Sequence, residues 1–264
     1  DQGEIVGEGF TIQVTDTQRD AELILHHGYV AKGVARLGAS VEARVSTERR
    51  DGIRRAHSAT HILHYALQKN LGKHAQQQGS KVDRDWLRFD FTNMAPVGGE
   101  QLATIEHDVK ARVADRAAIR WDTVPLTEAR KAGAMMLFGE KYGDEVRVLA
   151  MGRALDTETK PYSVELCGGT HVRRLGDIGL FTILSESAVA AGVRRVEALP
   201  SEGARRYLEG QAEAARDAAA VLKTSPAELP ARIAALAEER RRLERELSEA
   251  KKALALAGPA KSGG

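Results

Sequence analysis

Two pairs of residues in this sequence have the types and the spacing of metal ligands. His57 and His61 stand four apart, and much later in the chain Cys167 and His171 do the same. On a helix, residues four apart lie on adjacent turns of one face, so both imidazoles can reach one ion. A borderline-soft ion such as zinc takes nitrogen and thiolate donors, usually four in a tetrahedron. Cys167 is the only cysteine in the chain, and with His171 it completes that set. Between them, Gly168 and Gly169 let the backbone turn tightly and approach a ligand closely. His64 shares the face of the first pair, but a fifth ligand is not needed. Zinc-protease chemistry is excluded at one position. It requires a glutamate directly after the first histidine as general base, and Ser58 stands there.

The elements that must carry these side chains are legible around them. Arg54–Leu71 has the periodicity of an amphipathic helix, with Ala59, Ile62, Leu63 and Ala66 on one stripe and the histidines opposite. Asp51 is the expected cap and Gly72 the expected stop. Cys167 follows a short strand over Ser163–Leu166, a place from which a loop can present ligands. Before the histidine helix, residues 1–50 read as β-structure, a small barrel or sheet with glycine-marked turns. After it come a strand Leu87–Phe91, a helix over Gly98–Arg116 and strands at Ile119–Val124 and Val146–Ala150, with a helical Leu126–Ala132 between those two. The last strands lie at Phe181–Ser185 and Val193–Leu199. Strands and helices interleave irregularly, which favours an α+β domain over a doubly wound one.

From Ser201 the composition shifts to Ala, Glu, Arg and Leu. Leu229, Ile233, Leu236, Leu243, Leu247 and Leu254 keep three-four spacing, with Arg240 and Ala250 as weak positions. Ser225, Pro226 and Glu228 form a helix start, and Ala204, Leu208, Ala215 and Leu222 make a stripe on the preceding helix. The expectation is an antiparallel helical hairpin with a second arm about 40 Å long, ending in a frayed tail from Gly258. The organisation predicted is therefore a β subdomain at 1–50, a metal-bearing α+β domain at 51–200 and a helical hairpin at 201–264.

Composition narrows the function classes. No apolar run is long enough to cross a bilayer, and a single cysteine excludes an internal disulfide framework and suits a reducing cytosol. The net charge is only +2, so the whole molecule exerts no strong field on nucleic acid. Arginines are nevertheless doubled at 49–50, 54–55, 173–174, 194–195 and 205–206, giving local patches that can meet phosphates or stay solvated.

The run from His57 to His64 followed by Cys167-Gly-Gly-Thr-His171 resembles the editing domain of alanyl-tRNA synthetases and the free-standing alanyl-tRNA editing proteins. The resemblance extends to Asp16-Thr-Gln18, His26-His-Gly28, Gln77-Gln-Gly-Ser80, Leu87-Arg-Phe-Asp-Phe91, the run 137–144 and the run 190–198, all in the family's order over roughly residues 1–200. Ala56 departs from the family's usual asparagine, and 152–161 is slightly expanded. The resemblance implies a cytoplasmic zinc-dependent deacylase acting on tRNA(Ala) mischarged with serine or glycine. It also implies that the chain is a piece of a longer synthetase, with self-association running through adjoining regions. Around the aminoacyl ester it suggests Gln77 and Ser80, with Thr60 on the ligand side of the helix and Glu165 orienting a ligand or taking a proton. Gly168, Gly169 and Thr170 would contact substrate, and Arg194 and Arg195 would hold the terminal adenosine or its phosphates. Asp90 and Arg88 are expected to form a structural pair. Because four protein ligands close a tetrahedral site, Cys167 is the candidate for a movable ligand; alternatively the metal holds the substrate's amino group while nearby side chains orient water. The competing readings are a zinc-stapled tRNA-binding module without catalysis and a spacer built on the coiled coil.

Overall fold

A computed structural model describes residues 1–20, 23–136, 142–152, 161 and 163–257. Backbone pairing sorts the described strands into three antiparallel sheets. The first is an open sheet in the order β3-β2-β1-β4, from β1 (Gly3–Gly7), β2 (Phe10–Asp20), β3 (Leu23–Lys32) and β4 (Val41–Val45). Its inward residues are few, chiefly Phe10 and Val14, while β3 and β4 are exposed along their length.

α1 (Thr47–Leu71) is the axis around which the second and third sheets are arranged. It begins a turn before the expected Asp51 cap and stops at Gly72, whose φ of 112° is a left-handed value that suits glycine. The expected division into an apolar face and a histidine face holds only in part, because both faces are covered. Ala59, Ile62, Leu63 and Ala66 are buried, and so are Ser58, Thr60, His61 and His64. The apolar side joins the main core with Phe89, Phe91, Ile105, Val109 and Val196. These come from β6 (Trp86–Thr92), α2 (Gly99–Ala114) and β11 (Val193–Pro200). The second sheet runs β10-β11-β6-β5, its outer strands being β10 (Phe181–Ala190) and β5 (Gln77–Asp83). Lys69 and Asn70 of α1 both donate to the Asp108 carboxylate of α2, at 2.7 Å each, and fix the two helices together.

The third sheet, in the order β7-β8-β9, divides its work between two faces. In β7 (Ile119–Pro125), β8 (Glu145–Met151) and β9 (Ser163–Leu166), Trp121 stands opposite Leu149, and Leu149 opposite Glu165. Directly paired residues share a face, and so do residues two apart. One face therefore carries Trp121, Arg147, Leu149, Ser163 and Glu165, and points toward α1. The other carries Val124, Val146, Val148, Val164 and Leu166, which form a small separate core with Ala129 of α3 (Leu126–Lys131) and Ala134. This alternation delivers Glu165, then Cys167, to the buried side.

The chain divides into two compact units, Asp1–Arg205 and Arg206–Gly264. The second holds most of α4 (Ser201–Val221) and all of α5 (Leu229–Ala257). Ser225 and Glu228 bond reciprocally at the start of α5, as the sequence predicts: the Ser225 amide and hydroxyl donate to the Glu228 carboxylate, and the Glu228 amide donates to the Ser225 carbonyl. The leucine stripe differs from expectation. Ile233, Leu243, Leu247 and Leu254 are each more than half exposed, so among the described residues the covering contact expected of a packed hairpin is not made there. High helix propensity and pairs such as Arg240–Glu244 and Arg242–Glu246 sustain a helix of this length without it. The predicted tail from Gly258, the run 137–141 and most of the expanded 152–161 segment lie outside the described residues. Among the described residues, no helix is long and apolar enough to cross a membrane.

Candidate metal centre

α1 and the loop after β9 bring four donors together. His57, His61, Cys167 and His171 offer ligand atoms that all lie within 4.8 Å of one another. The Cys167 sulfur is 3.5 Å from His57 Nε2 and 3.3 Å from His171 Nε2. Donors on a tetrahedral zinc, with bonds of 2.0–2.3 Å, sit about 3.3–3.8 Å apart. The set thus fits a zinc ion. A further sign is the Nε2 of His61, buried and without a hydrogen-bond partner among the described residues. A buried polar nitrogen is costly to leave unpaired, and a metal would satisfy it.

The loop packs tightly. A Cβ on Gly169 would come within 2.1 Å of the His57 ring, so no larger residue fits without moving a ligand. Arg147 donates to the Gly169 carbonyl at 2.6 Å and holds the turn in place.

A ring of support fixes the imidazoles. His61 Nδ1 donates to Glu165 at 2.7 Å, which leaves Nε2 to face the cluster. Ser163 donates to the other Glu165 oxygen at 2.7 Å. Ser58 hydrogen-bonds with His171 Nδ1 at 3.2 Å and accepts from the Val172 amide at 3.1 Å. The position that would hold a protease's glutamate thus serves a structural purpose. His64 stays outside the set; its Nε2 meets the Ala75 carbonyl and its ring lies 5.1 Å from that of Phe89.

At Cys167 and His171 electrostatics suit the same chemistry. Burial opposes ionisation of the Cys167 thiol, but the imidazoles of His171, His57 and His61 outweigh it and bring its pKa to about 3. The sulfur is then a thiolate, the form that binds metals. Burial, joined by the charges of His57 and His61, lowers His171 to about 4 and keeps it neutral. Burial acts the same way on His61, yet the Glu165 carboxylate and the Cys167 sulfur raise it to about 10, so a metal binding at its Nε2 would displace a proton. Glu165 itself, despite burial, is held well below the usual carboxylate range by His61 and His64.

Comparison with known proteins identifies the frame in which this cluster sits. Residues 146–197, which include Cys167 and His171, match the family model described as the threonyl and alanyl tRNA synthetase second additional domain. Over its whole length the chain is 50% identical to an alanine–tRNA ligase of Mesorhizobium japonicum, and over 98% of its length 52% identical to that of Chelativorans sp.. The chain belongs to the alanyl-tRNA synthetase family. It spans about 30% of the length of these relatives.

The other residues that the synthetase resemblance singles out are distributed unevenly about the centre. Glu165 is in contact with a donor. Gly168, Gly169 and Thr170 form the turn between Cys167 and His171. Gln77 donates to Ser80 at 3.1 Å on β5, a bond between the two residues rather than to any of the four donors. Thr60 is buried, and its hydroxyl donates to the Ala56 carbonyl one turn back. Arg194 and Arg195 lie on β11 and each has a carboxylate partner. Arg194 makes two bonds to Glu186 (2.5 and 2.6 Å), and Arg195 makes two to Asp90 (2.6 and 2.8 Å). The reason is register, since β10 and β6 flank β11 and set a carboxylate within reach of each guanidinium. The structural partner of Asp90 is thus chiefly Arg195, with Arg88 farther away at 3.7 Å. Sequence reasoning missed Ser58, Ser163 and Arg147, for which neither spacing nor residue type gave a signal.

Proposed function

We propose that this chain is a zinc-dependent aminoacyl-tRNA deacylase, the editing part of an alanyl-tRNA synthetase, and that it removes serine or glycine from mischarged tRNA(Ala). The convergence of three imidazoles and one thiolate between α1 and the loop after β9 carries the reading. A pocket sized for alanine cannot exclude glycine, and one added hydroxyl is rejected by only about a hundredfold. A second hydrolytic site is the remedy that this discrimination limit calls for.

His57, His61, Cys167 and His171 would hold the ion. When bound, zinc supplies a Lewis acid beside the ester or its amino group. The chain's own residues do the positioning. Glu165 holds His61 by its Nδ1 proton, Ser58 steadies His171, and glycine at 169 lets the turn lie close against the His57 ring. Gln77 and Ser80 remain candidates for contacts with the aminoacyl group. The ester bond is broken by water, leaving free amino acid and a free terminal hydroxyl on the tRNA.

The test is hydrolysis of seryl-tRNA(Ala). The wild-type chain should release serine, and Cys167→Ala or His61→Ala should lower the rate by about a hundredfold or more, on the order expected when a catalytic group is lost. Undiminished hydrolysis by metal-free variants would remove the metal from the reaction.

One observation favours a second reading. Four protein donors make a closed tetrahedron, and closed sites are usually structural. A zinc-stapled tRNA-binding module would lose stability and tRNA affinity on chelation, yet show no ester cleavage with or without metal.

A further inference from the structure

Beside the four donors lies a depression of about 540 Å³ that their chemistry leaves unused. Its walls include His171, Trp121, Arg54, Arg55, Arg173 and, on the acidic side, Asp51 and Asp177. Most of these charges already have partners. Arg54 meets Asp51 at 2.8 Å, Arg55 meets the buried Asp85 at 3.0 Å, and Asp177 accepts from the Arg174 amide. Arg173 is exposed and has no ion pair among the described residues. Trp121 is 43% exposed, an unusual state for so large an aromatic surface. The Arg147 guanidinium lies 4.9 Å from its ring centroid while also holding the Gly169 carbonyl, so one side of the indole is braced against the metal loop.

A braced, partly open indole beside an uncommitted guanidinium has the composition of a single-stranded nucleotide site. The ring offers a stacking platform to any base, and the arginine meets a phosphate. The shared sheet face explains the placement: Trp121, Arg147 and Glu165 project to one side of β7-β8-β9, so the platform and the Cys167 loop face the same space. We infer that this depression is the subsite for the terminal nucleotide of an RNA 3′ end, with the base on Trp121 and its phosphate at Arg173, so that the terminal ribose lies toward His171. This rests on the deacylase reading for the identity of the RNA.

The experiment uses the full chain loaded with zinc and an uncharged RNA hairpin with a single-stranded 3′ tail, together with the same hairpin lacking its last nucleotide. The wild type should bind the complete tail more tightly than the trimmed one. Trp121→Ala should weaken binding of the complete tail about tenfold, the scale of one lost base stack, and leave the trimmed RNA unaffected. Trp121→Phe should recover most of the loss. Arg173→Ala should weaken binding and flatten its salt dependence. Zinc content and the circular dichroism spectrum are read for every variant, and both should match the wild type. Equal affinity of Trp121→Ala and wild type for the complete tail, or equal loss on both RNAs, would overturn the subsite. Displacement of the RNA by micromolar nucleoside monophosphate would assign the depression to a free nucleotide and overturn it too. Because the RNA is uncharged, the two readings separate. Trp121-dependent binding without any seryl-ester cleavage would keep the subsite and sink the deacylase, and cleavage with Trp121-independent binding would do the reverse.

Discussion

At the scale of single residues, Glu165 ties the His57–His61–Cys167–His171 cluster to the rest of the protein. It accepts from His61 on one oxygen and from Ser163 on the other, and it is almost wholly buried. An outer carboxylate of this kind orients a ligating imidazole and raises its basicity. Glu165→Ala should therefore weaken zinc binding about 10–100-fold, with Glu165→Gln between it and the wild type. Competition against a chromogenic chelator measures this without any substrate. Affinity unchanged in both variants would leave Glu165 without a positioning role. The same residue marks the limit of sequence reading at this scale. Its place two positions before Cys167 drew attention to it, but which nitrogen of which histidine it would meet depended on the packing of β9 against α1.

Elements set the next scale, and the α1–α2 junction shows how their packing is secured. Burial alone would raise the Asp108 pKa, but donors from Lys69 and Asn70 outweigh it and hold it below the ordinary 3.8. A carboxylate with a depressed folded-state pKa contributes stability above its unfolded value, and that contribution is lost as pH falls through the folded value. Asp108→Asn should then cost about 1 kcal/mol at neutral pH. The difference from wild type should shrink once pH drops below about 4, where the unfolded carboxyl takes up a proton. Urea midpoints measured from roughly pH 2.5 to pH 7, a window that spans both protonation states of the carboxyl, would check it. A pH-independent difference would contradict the linkage. Element identities were legible because periodicity is local: β9 and α2 lie within a residue or two of expectation. The length of β10 was not, since its extension to Ala190 depends on pairing with β11.

For the whole molecule, the division at Arg205 sets a simple expectation. A chain ending there should keep the main core and all four donors, so it should bind zinc as the full chain does, and chelation should lower the melting temperature of both by a similar amount. Loss of zinc binding on truncation would show that the second unit supports the first. The exposed stripe of α5 fits this separation, because a helix that stands on propensity and local ion pairs needs no core from elsewhere. By itself the sequence determined which four His and Cys residues to look for together, the helix that carries half of them, the α+β class and the family, because each rests on residue type and short-range spacing. Only the tertiary structure decided that Arg194 and Arg195 pair with Glu186 and Asp90, that the Thr60 hydroxyl bonds the Ala56 carbonyl, and that Trp121 and Arg147 share a face with Glu165. Those facts come from strand register and from the packing of distant segments, and a one-residue slip in register would reverse which face a side chain occupies.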